Sequence, residues 1–351
     1  MRNSSFNLAP LSIALLLAAC GGGGGSSSSS NTTSVPTAAI QVSSTNSTKV
    51  AGSALNSTQT VASNGSASNA AVNVAVVASS TASSRSVLDI VAGEFNRAIS
   101  TKLPPATLAG TVTSNTISCA TNASVPANSP NSITISLSYA NGSTLSSGDS
   151  FSMSYNSCTP NGTTVTMNGS MAFAVGNLVG PAGGPYTNAS YSVTFNNYAY
   201  VNSSNSTSMS MNGGMTITAS VSGTTTTSTI SGSSFSVSST IGGTTNSFML
   251  YGTGTSGFNE TYTYDSSTTN YSYGANMTVA STNMGGSAVI STTTPFTGTG
   301  AGNPTAGSMT ITGANGSYVT LTANPDGMTV NLTGNDGTNA FSYPNVAWTS
   351  L

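Results

Sequence analysis

Residues 150–175 read SFSMSYNSCTPNGTTVTMNGSMAFAV, and the fold class follows from them. Phe151, Met153 and Tyr155 alternate with serines, which puts apolar side chains on one face of a strand and small polar ones on the other. Val165, Met167, Gly169, Met171, Phe173 and Val175 then share one parity, so a second strand follows. Gly169 interrupts that apolar face at mid-strand, which predicts a bulge or kink bending the sheet.

The same alternation extends in both directions. Upstream, Ile133, Ile135, Leu137 and Tyr139 share a face before Asn141-Gly142 turns the chain. Near the C-terminus, Met309 and Ile311, Val319 and Leu321, and Met328, Val330 and Leu332 form three strands. Ala314-Asn315-Gly316 and Asn324-Pro325-Asp326-Gly327 join them. An internal repeat supports the pattern. Ser150–Asn156 matches Ser190–Asn196, Met167–Met171 matches Met211–Met215 with Gly213 in the place of Gly169, and Ser234–Ser238 is a partial third copy. The expected fold is all-β: an antiparallel multi-stranded meander of roughly a dozen or more strands from about residue 107, a curved open sheet or barrel-like, with one N-terminal amphipathic helix. That helix is expected over about 85–102. Leu88, Val91, Phe95, Ala98 and Ile99 recur at helical spacing there, Asp89, Glu94, Arg97 and Lys102 fall elsewhere, and Pro104-Pro105 end the run.

Charge excludes several function classes. Only 3% of the 351 residues are charged, against about a quarter in ordinary domains. The five basic residues, Arg2, Lys49, Arg85, Arg97 and Lys102, all precede residue 103, so the strand-rich part cannot neutralise phosphates and nucleic acid is not an expected partner. With no histidine there is no imidazole base and no His-containing metal site. No serine has a His partner, and no phosphate loop lies between strand and helix. The expectation is a protein that is not an enzyme and that uses no cofactor or metal.

The N-terminus carries an address. Residues 1–19 join a basic residue, an apolar run centred on Leu11 to Leu17, and small residues, as a secretory signal does; the run is too short to span a bilayer. Leu17-Ala18-Ala19-Cys20 has the form of a bacterial lipobox, which makes Cys20 the expected lipidation site. Residues 20–83, rich in Ser, Gly, Thr and Asn, read as the lipidated cysteine and a disordered tether, with the β-rich domain over 84–351. Once Cys20 is assigned to lipid, Cys119 and Cys158 remain as a pair, and in an exported chain they are expected to form a disulfide.

Other constellations have plainer readings. Glu260 and Asp265 could be a glycosidase carboxylate pair, but their spacing puts them on opposite strand faces, as solvated edge charges. Asn331–Gly337 is faintly like a calcium loop but carries one carboxylate, and reads as a polar turn. Tyr262, Tyr264, Tyr271 and Tyr273 could stack on sugars, although cross-strand pairing within a hairpin explains them more simply.

The lipobox, the Gly/Ser tether, a helix ending in Leu103-Pro104-Pro105, the MNGSM-type strands, and the tail Thr310–Ser317 closing on Trp348-Thr349-Ser350-Leu351 resemble a family of uncharacterised proteobacterial outer-membrane lipoproteins. The resemblance implies a β-rich domain held by lipid at the cell outer membrane, on its periplasmic face or on the cell surface; Gly21 after Cys20 agrees with that sorting. The expected function is a non-enzymatic structural or binding role at the cell envelope, with a lipid, a glycan or an envelope protein as partner. One alternative is a carrier of a lipid or apolar ligand on a curved β-sheet, whose ligand face would be Met167, Met171, Phe173, Met211, Met215 and Ile217. Another is a surface adhesin or fibre subunit assembling through strand edges.

Overall fold

The computed structural model describes residues 34–61, 91, 94, 112–140, 146–180, 186–253, 256–300 and 302–351. Among the described residues sixteen strands follow the helix α1 (Ser47–Val61). They are β1 (Val112–Ser118), β2 (Ser132–Ser138), β3 (Ser150–Cys158), β4 (Val165–Val179), β5 (Asn188–Asn202), β6 (Thr207–Ser222), β7 (Thr225–Gly232) and β8 (Ser234–Ile241). The second half holds β9 (Thr244–Tyr251), β10 (Phe258–Asp265), β11 (Asn270–Ser281), β12 (Gly286–Thr299), β13 (Ala306–Thr312), β14 (Tyr318–Ala323), β15 (Thr329–Asn335) and β16 (Ala340–Ala347).

All of them belong to one antiparallel sheet. β7 and β8 lie end to end along β6, and β9 and β10 lie end to end along β11. The sheet is therefore an up-and-down meander of fourteen lanes in chain order. β1 and β16 form its two ends and do not pair with each other, so the sheet is open rather than a closed barrel. The expected fold class is the observed one.

The alternation read in residues 150–175 is the burial pattern. Phe151, Met153, Tyr155, Met167, Met171, Phe173 and Val175 face a continuous apolar core. The mid-strand glycines bend the sheet as expected. Gly169 and Gly213 have φ of 83° and 100°, and the ladder slips a register beside each. A Cβ on Gly169 would lie 2.1 Å from the Asn197 carbonyl oxygen, so no other residue fits there without moving backbone. The preceding asparagines complete the motif. Asn168 Oδ1 accepts the Ser157 N–H at 2.9 Å, and Asn212 Oδ1 accepts the Asn197 N–H at 3.4 Å, each satisfying a donor that the bulge frees. Beside these bulges the rings of Tyr155 and Tyr198, two lanes apart, approach to 5.5 Å. Tyr155 pairs with Gly169 on the lane between, and the missing side chain there leaves room for the two rings to meet.

The ends are protected. Pro344 gives β16 a position without an N–H, and Asn345 (φ 55°) sits where the β15–β16 register slips. On β1, the loop that follows folds back over the open edge: Ser118 N–H donates to Ala123 O at 2.8 Å and Val125 N–H to Thr116 O at 2.9 Å.

The disordered tether expected over 20–83 is corrected for residues 34–61, which are part of the folded domain. Ala39 adds a short parallel bridge to Ser287. Ile40 N–H donates to Ser287 O (2.9 Å), Ala314 N–H donates to Ile40 O (2.7 Å), and Val42 N–H donates to Ser317 Oγ (2.9 Å). The chain then enters α1, which packs against β11, β13 and β14 and buries Val50, Ala51, Ala54 and Leu55. Small residues allow this close fit: a Cβ on Gly313 would meet Ile40 O at 2.1 Å, and one on Gly52 would meet the Leu351 carbonyl carbon at 2.2 Å. Two buried hydroxyls of α1 are satisfied by its own backbone, Ser57 donating to Ser53 O and Thr58 to Leu55 O, both at 2.8 Å. A polar composition is thereby compatible with a core position. The domain begins by Ser34, not at residue 84.

The expected helix over 85–102 lies outside the described residues except at Val91 and Glu94, both helical and both buried. Glu94 does not face solvent; its carboxylate accepts a hydrogen bond from Tyr155 O–H at 2.5 Å. Residues 1–33 and 62–83, with the expected signal peptide and Cys20, lie outside the described residues as well.

Candidate functional site

The apolar face comes first, because a carrier would need part of it free. Met167, Met171, Phe173, Met211, Met215 and Ile217 are each at most 2% exposed. They are filled in by their neighbours: Phe173 stacks on Phe151 with centroids 4.6 Å apart, Met171 pairs with Phe195, and Met215 pairs with Val193. The expected ligand face is corrected to packed core. Carbons already in van der Waals contact with the protein have no surface left to offer a ligand.

Cys119 and Cys158 are bonded to each other, as expected, with their Cα atoms 5.5 Å apart. Cys20 cannot be placed, since it lies outside the described residues.

The carboxylates separate as the spacing required, but Glu260 is not a solvated charge. It shares parity with Phe258 and Tyr262 on β10, points into the core, and is 4% exposed, with Oε2 lacking a hydrogen-bond partner. Tyr273 O–H and Trp348 Nε1 are also buried without partners, and Tyr273 stacks on Phe296, which meets Trp348 edge-on. Desolvation holds the Glu260 carboxyl well above its ordinary value of 4.5. Asp265 is instead a turn residue at the end of its strand. Its carboxylate accepts the Ser267 hydroxyl at 2.8 Å and the Ser267 N–H at 2.9 Å, which hold it below 3.8. Asp326, bonded to the Thr329 hydroxyl, and Asp336, bonded to the Asn339 N–H, are lowered in the same way.

A pH dependence follows. The folded state keeps a proton on Glu260 that the unfolded chain releases above about 4.5, so stability falls as pH rises past that value. The three aspartates act oppositely and withdraw stability as pH falls below 3.8. Stability is expected to peak between these limits. In urea titrations the Glu260→Gln variant should lose the decline between about pH 4.5 and 9, below the range where the buried tyrosines ionise, and Glu260→Leu should be more stable than wild type by about 1–3 kcal/mol at neutral pH. A wild-type midpoint that is flat on the alkaline side would contradict this.

The tyrosines pair across the hairpin, Tyr262 with Tyr273 and Tyr264 with Tyr271. Tyr262, Tyr271 and Tyr273 are buried, so this cluster is core and offers no stacking platform. The calcium-like tail is a polar turn: Asp336 Oδ1 accepts the N–H groups of Thr338 and Asn339, and Asn335 Oδ1 accepts that of Gly337. Among the described residues no three His, Cys, Asp or Glu side chains come together.

The polar face holds what the sequence reading missed. Taken by register, one row crosses all fourteen lanes from Ser138 through Ser150, Ser192, Thr216, Ser231, Asn259, Asn276, Ser291, Thr310, Thr320 and Thr333 to Ser342, with Ala174 within it and Val112 at its end. Its span is about 60 Å, and none of its members is charged. At its middle, β12 carries extra residues between Ser291 and Phe296 opposite β11. Thr292 turns its hydroxyl onto the ladder, accepting the Ala275 N–H at 2.8 Å and donating to Ala275 O at 3.1 Å. This bulge raises Pro295 beside a shallow groove of about 210 Å³, floored at Gly274 and walled by Asn259, Thr261, Ser272 and Asn276. The Oδ1 atoms of Asn259 and Asn276 accept the Thr261 and Ser291 hydroxyls, and among the described residues their Nδ2 groups donate no hydrogen bond, so the groove presents neutral donors. Pro295 within an alternating run was the available signal, because proline inside a strand marks a bulge or an edge.

No protein-family model, no curated protein and no solved structure matches the chain.

Proposed function

We propose that the protein is an outer-membrane-anchored lipoprotein whose β-domain binds a neutral, hydroxyl-rich partner, a glycan of the cell envelope, without catalysing a reaction on it. The anchor rests on Leu17-Ala18-Ala19-Cys20 and on the resemblance described above. The binding role is carried by the uncharged hydroxyl and amide row, with the groove at Asn259 and Asn276 near its centre. A repeating polymer of neutral hydrogen-bonding units can meet such a row at several points, and each contact exchanges a bond to water for one to protein. The carrier alternative has less support because its six-residue face is packed. The fibre alternative has less because both end strands are blunted.

The test uses the full-length protein extracted from envelopes. Acyl mass on the Cys20 peptide and loss of membrane association in Cys20→Ser are expected. Retention on immobilised envelope glycan should resist raised salt, since no ion pairs are involved. Asn259→Ala combined with Asn276→Ala should weaken it about tenfold or more while leaving the unfolding midpoint unchanged. Release by salt, or unaltered retention in the double variant, would count against the glycan reading.

A further inference from the structure

The docked N-terminal segment says which end of the sheet an anchored domain turns to the membrane. Residues 37–42 join the sheet where β12 begins and where β13 turns into β14. The same rim holds the Cys119–Cys158 bridge and the turns at 282–285 and 336–339. The opposite rim carries the turns at 266–269 and 324–328.

Thirteen residues, 21–33, separate Cys20 from Ser34. Whatever their conformation, they reach no further than about 50 Å. β5, fifteen residues long, spans about 50 Å from rim to rim. For the opposite rim to touch the bilayer, the entire tether would have to be stretched along the length of the domain. With the segment's own rim toward the lipid, almost any tether conformation suffices, so chain entropy favours that placement.

Charge agrees with it. The opposite rim exposes Asp265 and Asp326 as carboxylates with no cation on it among the described residues, whereas the turns of the segment's rim at 282–285 and 336–339 carry one carboxylate, Asp336, whose backbone oxygen accepts a hydrogen bond from the Gln41 amide. An anionic lipid surface repels the first rim more than the second.

We propose that the rim formed by Ala38–Val42, the 282–285 turn and the 336–339 turn is the membrane-facing surface of the domain, and that the Asp265/Asp326 rim points away from the bilayer. The proposal rests on the lipid anchor at Cys20. It places the hydroxyl row and its groove along the side of an upright domain, open to polymer lying in the plane of the envelope.

The test places the acylated full-length protein on vesicles containing anionic lipid and headgroup-labelled acceptor lipid. With Cys20 acylated and Cys119 bonded to Cys158, a cysteine introduced by Asn339→Cys or Ser267→Cys is the one free thiol for a donor fluorophore. Energy transfer to the membrane is expected to be several-fold higher from position 339 than from 267, and a long Gly/Ser insertion after residue 33 should erase the difference. Equal transfer, or more from 267, on a protein whose Cys20 peptide carries acyl mass overturns the orientation alone. Absence of that acyl mass overturns the anchor reading and the orientation with it.

Discussion

A chain that begins at Ser84 is expected to lose cooperative folding, while one that begins at Ser34 retains it. The first lacks Val42, Val50, Ala51, Ala54 and Leu55, all of which lie in the core. Burying Val42, Val50 and Leu55 contributes roughly 6 kcal/mol at about 2 kcal/mol each, a large share of the 5–15 kcal/mol that holds a domain together. Removing them also uncovers the faces of β11, β13 and β14 and frees the N–H of Ser287 and of Ala314. The Ser84 chain should melt without a sharp transition and bind a hydrophobic dye, and the Ser34 chain should do neither. Matching urea midpoints for the two would show that α1 is dispensable.

Loss of the disulfide is the second large effect. Cys119 and Cys158 close a loop with a sequence separation of 39, which corresponds to about 4 kcal/mol in the chain-entropy treatment. The bridge joins the turn after β1 to the end of β3, with β2 between them, and so ties an end strand to an interior lane. The Cys119→Ser/Cys158→Ser variant should therefore unfold at lower urea, and amide exchange should rise most in β1 and in the 119–131 turn. Protection that falls evenly over all lanes would mean that the end strand is not the part being held.

The strands were legible because each has one buried and one wet face, and residues such as Met153 and Ser154 alternate to match. The kinks at Gly169 and Gly213 were legible because glycine on an apolar face has no packing reason to be there. Three features were not. α1 is hidden because Ser, Thr, Gly and Ala make up most of it: its apolar stripe is only Val50, Ala51, Ala54 and Leu55, and the buried turn that follows carries Ser57 and Thr58, whose hydroxyls bond their own helix. Glu260 was assigned to solvent from its charge, while its parity with Phe258 and Tyr262 pointed inward. The groove depends on a bulge in β12, which moves polar groups together without altering their identity.

The pairing of Ile40 with Ser287 and Ala314 sets a condition on the order of folding. Each lane finds its partner next to it in the chain, so the meander can grow one hairpin at a time as the chain is made. The 37–42 segment is different: its partners lie some 250 to 275 residues later and are made long after it. Until β12 to β14 have been delivered, α1 has no groove to fill and the growing sheet has an open apolar face. Completion of the domain is thus coupled to completion of the chain, and the partly synthesised chain is the state most exposed to proteases and in greatest need of a chaperone.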